Sequence, residues 1–327
     1  MKPAEWFVAC EPDAWHVVRV ADDGAELRAA RRGREDEAER LAAAAAELGY
    51  DGRAVCLSLP SEMVFSAGID TAGLPRRQRH QAMLYRLEEH LPLDAEELTA
   101  DFTPAGAGKA LGVAVRTRPV AELIETLTRA GLEVGSVRPT ALLVLWAAFH
   151  AGDREATARF AVVAGEASTD VFRLSEDRPA AWCTVEGDPE QLRAAIRAEL
   201  LSRPAEQPIE WLAVGALPAG AAAALEAEFG QPPEPVSDKS PRVMAAGAAR
   251  SALGDGRGGW VELARGQLSG GSPWARFHTV LKAAAVLAVL LPAALLAGLL
   301  WRSHRYEALA AGHEAAQQQL FAELYPN

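Results

Sequence analysis

The chain has 327 residues, with 33 Lys and Arg against 44 Asp and Glu, and a formal net charge of −11. So acidic a chain repels bulk phosphate and is excluded as a general nucleic-acid binder. At 50% hydrophobic and 24% charged it has the balance of an ordinary globular protein of about two domain-sized units, neither disordered nor collagen-like.

From the N-terminus, Glu5 to Cys10, His16 to Val20 and Ala25 to Ala29 read as strands joined by turns at Pro12-Asp13 and Asp22-Asp23-Gly24. The apolar run Trp6 to Ala9 is too short for a signal peptide, so the N-terminal part is expected to stay in the cytoplasm. A helix is expected over 34–48, stopped by Gly49, then strands over 53–59 and 63–69. The next helix, 75–91, turns Met83, Leu84, Leu87 and Leu91 inward and leaves Arg76, Arg77 and Arg79 outside, and Pro92 ends it. Strands 98–103 and 110–116 flank a turn. Val120, Leu123, Ile124 and Leu127 then fall at i, i+3, i+4 and i+7 of a helix closed by Gly131. A strand over 132–137 leads into an almost wholly apolar, buried helix over 140–149.

After a polar break at 151–155 the pattern restarts, with strands 159–164, 168–174 and 180–185, a helix 189–201, a strand 210–214, and helices 220–229 and 242–253. Two units that each open with antiparallel strands and then alternate helix and strand imply a pseudo-duplicated α/β protein, with halves at 1–152 and 153–255. Residues 256–282 read as a juxtamembrane linker in which Trp260 to Leu263 is strand-like. Ala283 to Trp301 holds nineteen residues without a charge, which at 1.5 Å per residue span about 28 Å, the depth of a bilayer core. Pro292 and Gly298 inside it suit a transmembrane helix better than a buried soluble one. Residues 302–327 are expected to form a short periplasmic helical tail, with Leu309, His313, Ala316, Leu320 and Leu324 near one face.

The usual chemical constellations are missing. Cys10, Cys56 and Cys183 lie too far apart for a Cys-pair zinc site, and the odd number argues against a disulfide framework. The seven histidines form no HExxH, and each, His16 included, reads as a surface residue. Gly254 to Gly259 satisfies GxGxxG, but it leads into strand-like sequence, the reverse of a dinucleotide fingerprint. Gly106-Ala-Gly108-Lys109 lacks the Ser/Thr and upstream Gly of a P-loop and reads as a hairpin turn. No catalytic residue, cofactor or metal ligand is expected.

The run Gly52 to Ala148, with GRAVCLSLPSEMVF, QRHQAMLYRLEEHLPLDAEELTADF, ALGVAVRTR and PVAELIETLTRAGLEVGSVRPTALLVLWAA, resembles the actin-like assembly proteins of type IV pili and type II secretion. RFAVVAGEASTDVFRL, IEWLAVGALPAGAAAALEAEFG and VMAAGAARSAL resemble the second half of an actin-like fold. With WVELARG before the apolar stretch and LFAELYP after it, nearly the whole chain is similar to the L proteins of the type II secretion inner-membrane platform. That resemblance implies an actin-like (RNase H-like) cytoplasmic region on one transmembrane helix, in the bacterial inner membrane with its N-terminus cytoplasmic. It implies a non-catalytic scaffold whose partners are the E-type secretion ATPase, the M-type and polytopic F-type platform proteins and a second copy of itself. A pilus-assembly counterpart fused to a membrane anchor and a membrane-attached nucleotide-binding member of the actin superfamily are the alternatives. Members of the L family carry a ferredoxin-like periplasmic domain beyond the tail, which is not among these 327 residues.

Actin-like ATPases use small residues in two phosphate hairpins so that backbone amides reach the phosphates. The resemblance aligns Glu11 and Asp13 with the first hairpin, where Pro12 and Trp15 stand in place of small residues, and Gly165 and Glu166 with the second, with no aspartate opposite Val163. The adenosine-side glycine pair is reduced to Gly215-Ala216. Proline removes a donor and an uncompensated carboxylate repels phosphate, so a degenerate nucleotide pocket is expected. Arg76, Arg77 and Arg79 make the strong basic patch of an acidic protein, a surface suited to an acidic partner.

Overall fold

The computed structural model describes most of residues 5–269, leaving out 22–23, 34, 75–78, 107, 151–159, 166–167, 176–177, 187, 201–209, 218–219, 236–240 and 256–259. Beyond 269 it describes 288, 292, 295–303, 305–306, 312–314, 316–318 and 320. The chain divides into two units, Met1–Gly270 and Gly271–Asn327.

The first unit opens with strands β1 (Glu5–Cys10), β2 (Ala14–Ala21) and β3 (Gly24–Arg31), helix α1 (Glu37–Glu47) and strand β4 (Val55–Leu59). Strand β5 (Val64–Asp70), helix α2 (Arg79–Glu88), strands β6 (Leu98–Pro104) and β7 (Lys109–Arg116), helix α3 (Thr117–Arg129), strand β8 (Val134–Pro139) and helix α4 (Thr140–His150) follow. The pattern then repeats through β9 (Phe160–Ala164), β10 (Ser168–Ser175), β11 (Arg178–Glu186), α5 (Pro189–Leu200), β12 (Trp211–Val214), α6 (Ala221–Phe229), the short β13 (Glu234–Pro235) and α7 (Pro241–Asp255).

Two five-stranded sheets carry the duplication expected from the sequence. Their orders are β3-β2-β1-β4-β8 and β11-β10-β9-β12-β13. In each, the first three strands of the half form an antiparallel meander, and later strands add in parallel on the far side of the first. Strands β1, β4 and β9 are near-continuous apolar runs because they are covered on both faces. β3 is the edge strand and leaves Glu26, Arg28 and Arg31 in water, which protects the edge from pairing with another chain.

Strands β5, β7 and β6 form a separate antiparallel sheet backed by α2, whose Met83 and Leu87 are buried. Gly112 of β7 makes that packing possible, because a Cβ there would meet Leu87 Cδ1 at 2.8 Å and Phe102 Cε1 at 3.0 Å. In α3 the expected face, Val120, Leu123, Ile124 and Leu127, is buried. Gly131 ends that helix at φ +77°, where its N–H reaches Thr128 O and that of Leu132 reaches Leu127 O.

The main buried cluster runs across both large sheets. Trp6, Val8 and Leu57 of the first sheet share it with Ala161, Phe172 and Leu212 of the second and with Met244, Ala245 and Ala249 of α7. A second cluster, with Phe160, Trp211, Leu225 and Phe229, fills the other face of the second sheet.

Residues 260–268, expected to be linker with Trp260 to Leu263 strand-like, form instead a strap without a strand ladder that closes in a 3-10 turn at Gly266–Leu268. Val261, Leu263 and Leu268 are buried in the main cluster. Glu262 grips β8: its carboxylate accepts from Ser136 Oγ at 2.6 Å, Val137 N–H at 2.8 Å and Arg138 Nη2 at 3.1 Å. The Leu263 N–H donates to Val137 O at 2.9 Å, so the strap covers the outer edge of β8. On its other side, Asp101 accepts from the Glu262 N–H at 2.8 Å and from Arg265 at 3.0 Å. The side-chain clamp of Glu262, rather than a backbone ladder, is why the strap does not register as a strand.

In the second unit, residues 295–303 are helical, with Leu295, Leu296, Leu299, Leu300 and Trp301 exposed. Pro292 is helical and exposed, while Ala283 lies outside the described residues. No helix among the described residues is long and apolar enough to cross a membrane, and more than half of 283–301 lies outside them. Of the expected tail face, His313, Ala316 and Leu320 are helical and exposed, and Leu309 and Leu324 lie outside the described residues.

Arg138 is only 6% exposed, so removing the Glu262 carboxylate takes an ion-pair partner from a buried guanidinium. Glu262→Ala is expected to cost about 2–3 kcal/mol, below the full value for a buried pair because Glu262 is partly exposed. The urea unfolding midpoint, together with faster proteolytic cleavage at 260–268, checks it; an unchanged midpoint would mean that the strap is held by its apolar residues alone.

Candidate functional site

A cleft of about 800 Å³ lies between the β1–β2 turn and the β9–β10 turn. The parallel topology of each sheet fixes this place, since both turns stand at the carboxyl ends of the first strands of their halves. Glu11 and Asp13 line it from the first turn, Gly165 from the second, and Ser61, Glu62 and Arg242 from neighbouring segments. Of the other residues expected in this pocket, Glu166 lies outside the described residues. Gly215 follows β12 at φ +84° beside Ala216, which lines the cleft.

The amides that open the turns face inward on their own hairpins. The Glu11 N–H donates to Ala14 O at 2.9 Å, Pro12 has none to give, and the Gly165 N–H donates to Ser168 O at 2.8 Å. A Cβ on Gly165 would come within 2.8 Å of that same Ser168 oxygen, so the glycine is needed for its own turn. Arg242, at the start of α7, is committed to Glu11 through two bonds, Nε to Oε1 at 2.5 Å and Nη2 to Oε2 at 2.6 Å.

His16 completes this group, its Nε2 3.0 Å from Glu11 Oε2. It is 8% exposed, not a surface residue as expected, because β2 is covered on both faces and no side chain in its middle reaches water. Arg242 and Glu11 are 231 positions apart, and no local pattern in the sequence connects them.

Asp170 corrects a second expectation. The second hairpin was expected to have no aspartate opposite Val163, yet the register of β10 on β9 pairs Asp170 directly with Val163. The Gly165 N–H to Ser168 O bond stands at the end of the hairpin from which that register runs. Asp170 is 3% exposed and accepts from Ser61 Oγ at 2.7 Å, Trp182 Nε1 at 2.8 Å and Thr184 Oγ1 at 2.7 Å. Burial pushes its carboxyl up to about 6, against the lowering effect of those three donors. A charged residue inside the buried run STDVFRL was the available signal for it. Ser61 follows β4, so this bond joins the two halves, and Ser66 Oγ to Trp182 O at 2.7 Å adds a second tie.

Cys10 also lines the cleft, but burial pushes its thiol up to about 11, and Cys56 to about 12, so neither is a thiolate nucleophile at neutral pH. Among the described residues no group of His, Cys, Asp or Glu is arranged to hold a metal ion. Among the described residues, the amides that open both turns, those of Glu11 and Gly165, are bonded within their hairpins, and Glu11, Asp13, Glu62 and Asp170 outnumber the lining guanidinium of Arg242, itself paired, a balance that suits a nucleoside triphosphate poorly. Outside the cleft, Arg79 is exposed at the start of α2, while Arg76 and Arg77 lie outside the described residues.

No protein-family model matches this sequence, and no curated protein matches it. Among solved structures, it is similar to the cytoplasmic domain of EpsL, an inner-membrane component of the type II secretion system of Vibrio cholerae. That match has 15% identity and a TM-score of 0.56 over 81% of this chain and 100% of that one. It is also similar to a PilM–PilN type IV pilus biogenesis complex, with 19% identity and a TM-score of 0.56 over 72% of this chain and 89% of that one. These likenesses and the duplicated sheets define an α/β actin-like fold.

The proton on Asp170 gives the cleft a pH signature. With a folded pKa of about 6 against about 3.9 unfolded, the native state binds more protons between those values, so this group's contribution to stability falls as pH rises from about 4 to about 6. Asp170→Asn keeps acceptors for Trp182 and Thr184 and turns an amide toward Ser61, which then accepts. Urea titrations at pH 4 and pH 7.5 are expected to show Asp170→Asn gaining on the wild type at the higher pH. Asp170→Ala is expected to lose about 1–3 kcal/mol at both through unpaired donors.

Proposed function

We propose that the chain is a non-catalytic scaffold of a bacterial type II secretion inner-membrane platform, in which an actin-like cytoplasmic region recruits the E-type secretion ATPase and passes its motion to M-type and polytopic F-type platform proteins. The observation that carries this reading is the strap: the actin-like unit ends at 260–268 in a segment pinned to its own core by Glu262, and the apolar run Ala283 to Trp301 follows closely in sequence. A chain built to transmit force from an anchor needs its last folded segment bound to the body, and a free linker would not serve. The likeness to the cytoplasmic domain of EpsL supports the same order of parts.

Catalysis is not what the cleft favours. Among the described residues, the amides of Glu11 and Gly165 are used within their hairpins and the Arg242 guanidinium is paired, which supports a fold that has kept the actin-like frame and given up nucleotide. In this reading 283–301 is the single span in the inner membrane, the N-terminal side is cytoplasmic, and 302–327 is a periplasmic tail through which, with the span, a second copy is met. The net charge of −11 argues against nucleic acid as a partner. A second reading, assembly of a type IV pilus, has its own support in the equal TM-score of 0.56 to the PilM–PilN complex.

Co-purification of the full chain from membranes is expected to bring down the secretion ATPase, whereas recovery of pilus components alone would favour the second reading. Leu295→Lys combined with Leu296→Lys, at about 2.5–3.5 kcal/mol per charge in a bilayer core, is expected to move the chain from the carbonate-washed membrane pellet to the supernatant. Titration calorimetry with Mg-ATP is expected to give no binding up to about 1 mM, a free-energy ceiling of about 4 kcal/mol. Nucleotide turnover by the full chain would overturn the scaffold reading.

A further inference from the structure

Beside α2 lies a second groove, of about 380 Å³, apart from the cleft and sharing Asp101 with the strap. Its floor is apolar: Met83 and Ala110 are buried and Phe102 is half-buried. Its rim is cationic, with Arg79 and Lys109 exposed and without an ion-pair partner among the described residues, and with the exposed His80 packed edge-on against Phe102 at 5.3 Å. The carboxylate at its inner end, Asp101, is already met by the Glu262 N–H and Arg265. Asp70, cross-strand from Lys109, accepts from the Ala72 N–H. The Thr71 hydroxyl is turned to Gly108 O at 2.8 Å. What the groove offers a visitor is therefore two free positive charges around an adaptable apolar floor, in a chain whose net charge is −11.

We propose that this groove docks a short acidic segment of a partner protein, which lays an apolar side chain over Met83 and Phe102 and sets carboxylates against Arg79 and Lys109. The chemistry selects a protein segment over other anions. A nucleic acid or an anionic bilayer presents many charges over a wide area, and the acidic remainder of the chain repels such a surface. A few carboxylates on an extended peptide reach the rim within a Debye length of it. The apolar floor adds a requirement that neither a phosphate nor a simple anion meets. The proposal rests on reading the chain as a scaffold that other proteins grip, and it adds the surface and the character of one such partner.

The test uses the full chain in detergent and three fluorescent hexapeptides followed by anisotropy: DELDEF, the apolar-deleted DESDES and the charge-reversed KKLKKF. DELDEF is expected to bind at least tenfold more tightly than either control and to weaken as salt rises. Arg79→Glu combined with Lys109→Glu is expected to reduce DELDEF binding at least tenfold, and Met83→Ser to reduce it while leaving its salt dependence in place. The charged positions are exposed, so an unchanged unfolding midpoint shows that the variant is folded. Failure of DELDEF to bind, equal binding of all three peptides, or indifference to charge reversal overturns the proposal. So does a charge-reversed variant that loses self-association, or binding to anionic vesicles, in place of peptide binding. A scaffold reading that fails is seen separately, as nucleotide turnover, which anisotropy of these peptides does not register.

Discussion

A carboxylate taken out of water has to be met by donors, and Asp170 is where this requirement shapes the molecule most. Two of its three donors, Trp182 and Thr184, come from the neighbouring strand β11 and the third is Ser61 of the other half. Because no water competes inside, each of these bonds is worth more than it would be at the surface, and losing one would leave a charge or a donor unsatisfied. The two halves are thereby held in one arrangement, and the apolar cluster that runs from Trp6 and Leu57 to Phe172 and Leu212 seals the same junction.

That fastening bears on what an actin-like frame does here. In a nucleotide-driven member the cleft is the place where a ligand pulls two halves together, and free amides and cations wait for it. In this chain, among the described residues, Arg242 takes Glu11, the amides of Glu11 and Gly165 close their own turns, and Ser61 bridges to Asp170. Among the described residues these groups are paired without a ligand, while His16 Nδ1, buried in the cleft wall, has no hydrogen-bond partner. Such pairing is what the scaffold role proposed above calls for, in which position passes between partners without a cycle of opening and closing.

The strap continues the same principle toward the apolar segment. Glu262 satisfies two backbone or hydroxyl donors of β8 and the buried Arg138 with one carboxylate, and Asp101 holds the strap from the other side. Two carboxylates thus fix nine residues that carry little secondary structure of their own. The docking groove beside α2 shares Asp101 with this arrangement, which leaves its rim, and not its inner end, positively charged.

Periodicity and punctuation in the sequence were enough for the elements and their order. The stripe Val120, Leu123, Ile124 and Leu127, the glycines that end helices, and the apolar runs of β1, β4 and β9 are local properties, and each element but the unexpected two-residue β13 lies within a few residues of its expected bounds. The repeat of antiparallel strands after the break at 151–155 likewise announced two like sheets. That Pro12 brings no donor to the first turn, and that Glu11 and Asp13 bring negative charge, is likewise local, because both are written in the residue types themselves. Tertiary structure alone decided which distant groups meet: Glu11 with Arg242, Asp170 with Ser61, and Glu262 with Arg138. It also decided that His16 is buried and that 260–268 is a strap. The reason is physical: a side chain's need for a hydrogen-bond partner is fixed by its chemistry, but the partner is chosen by register and packing, which depend on the whole chain at once.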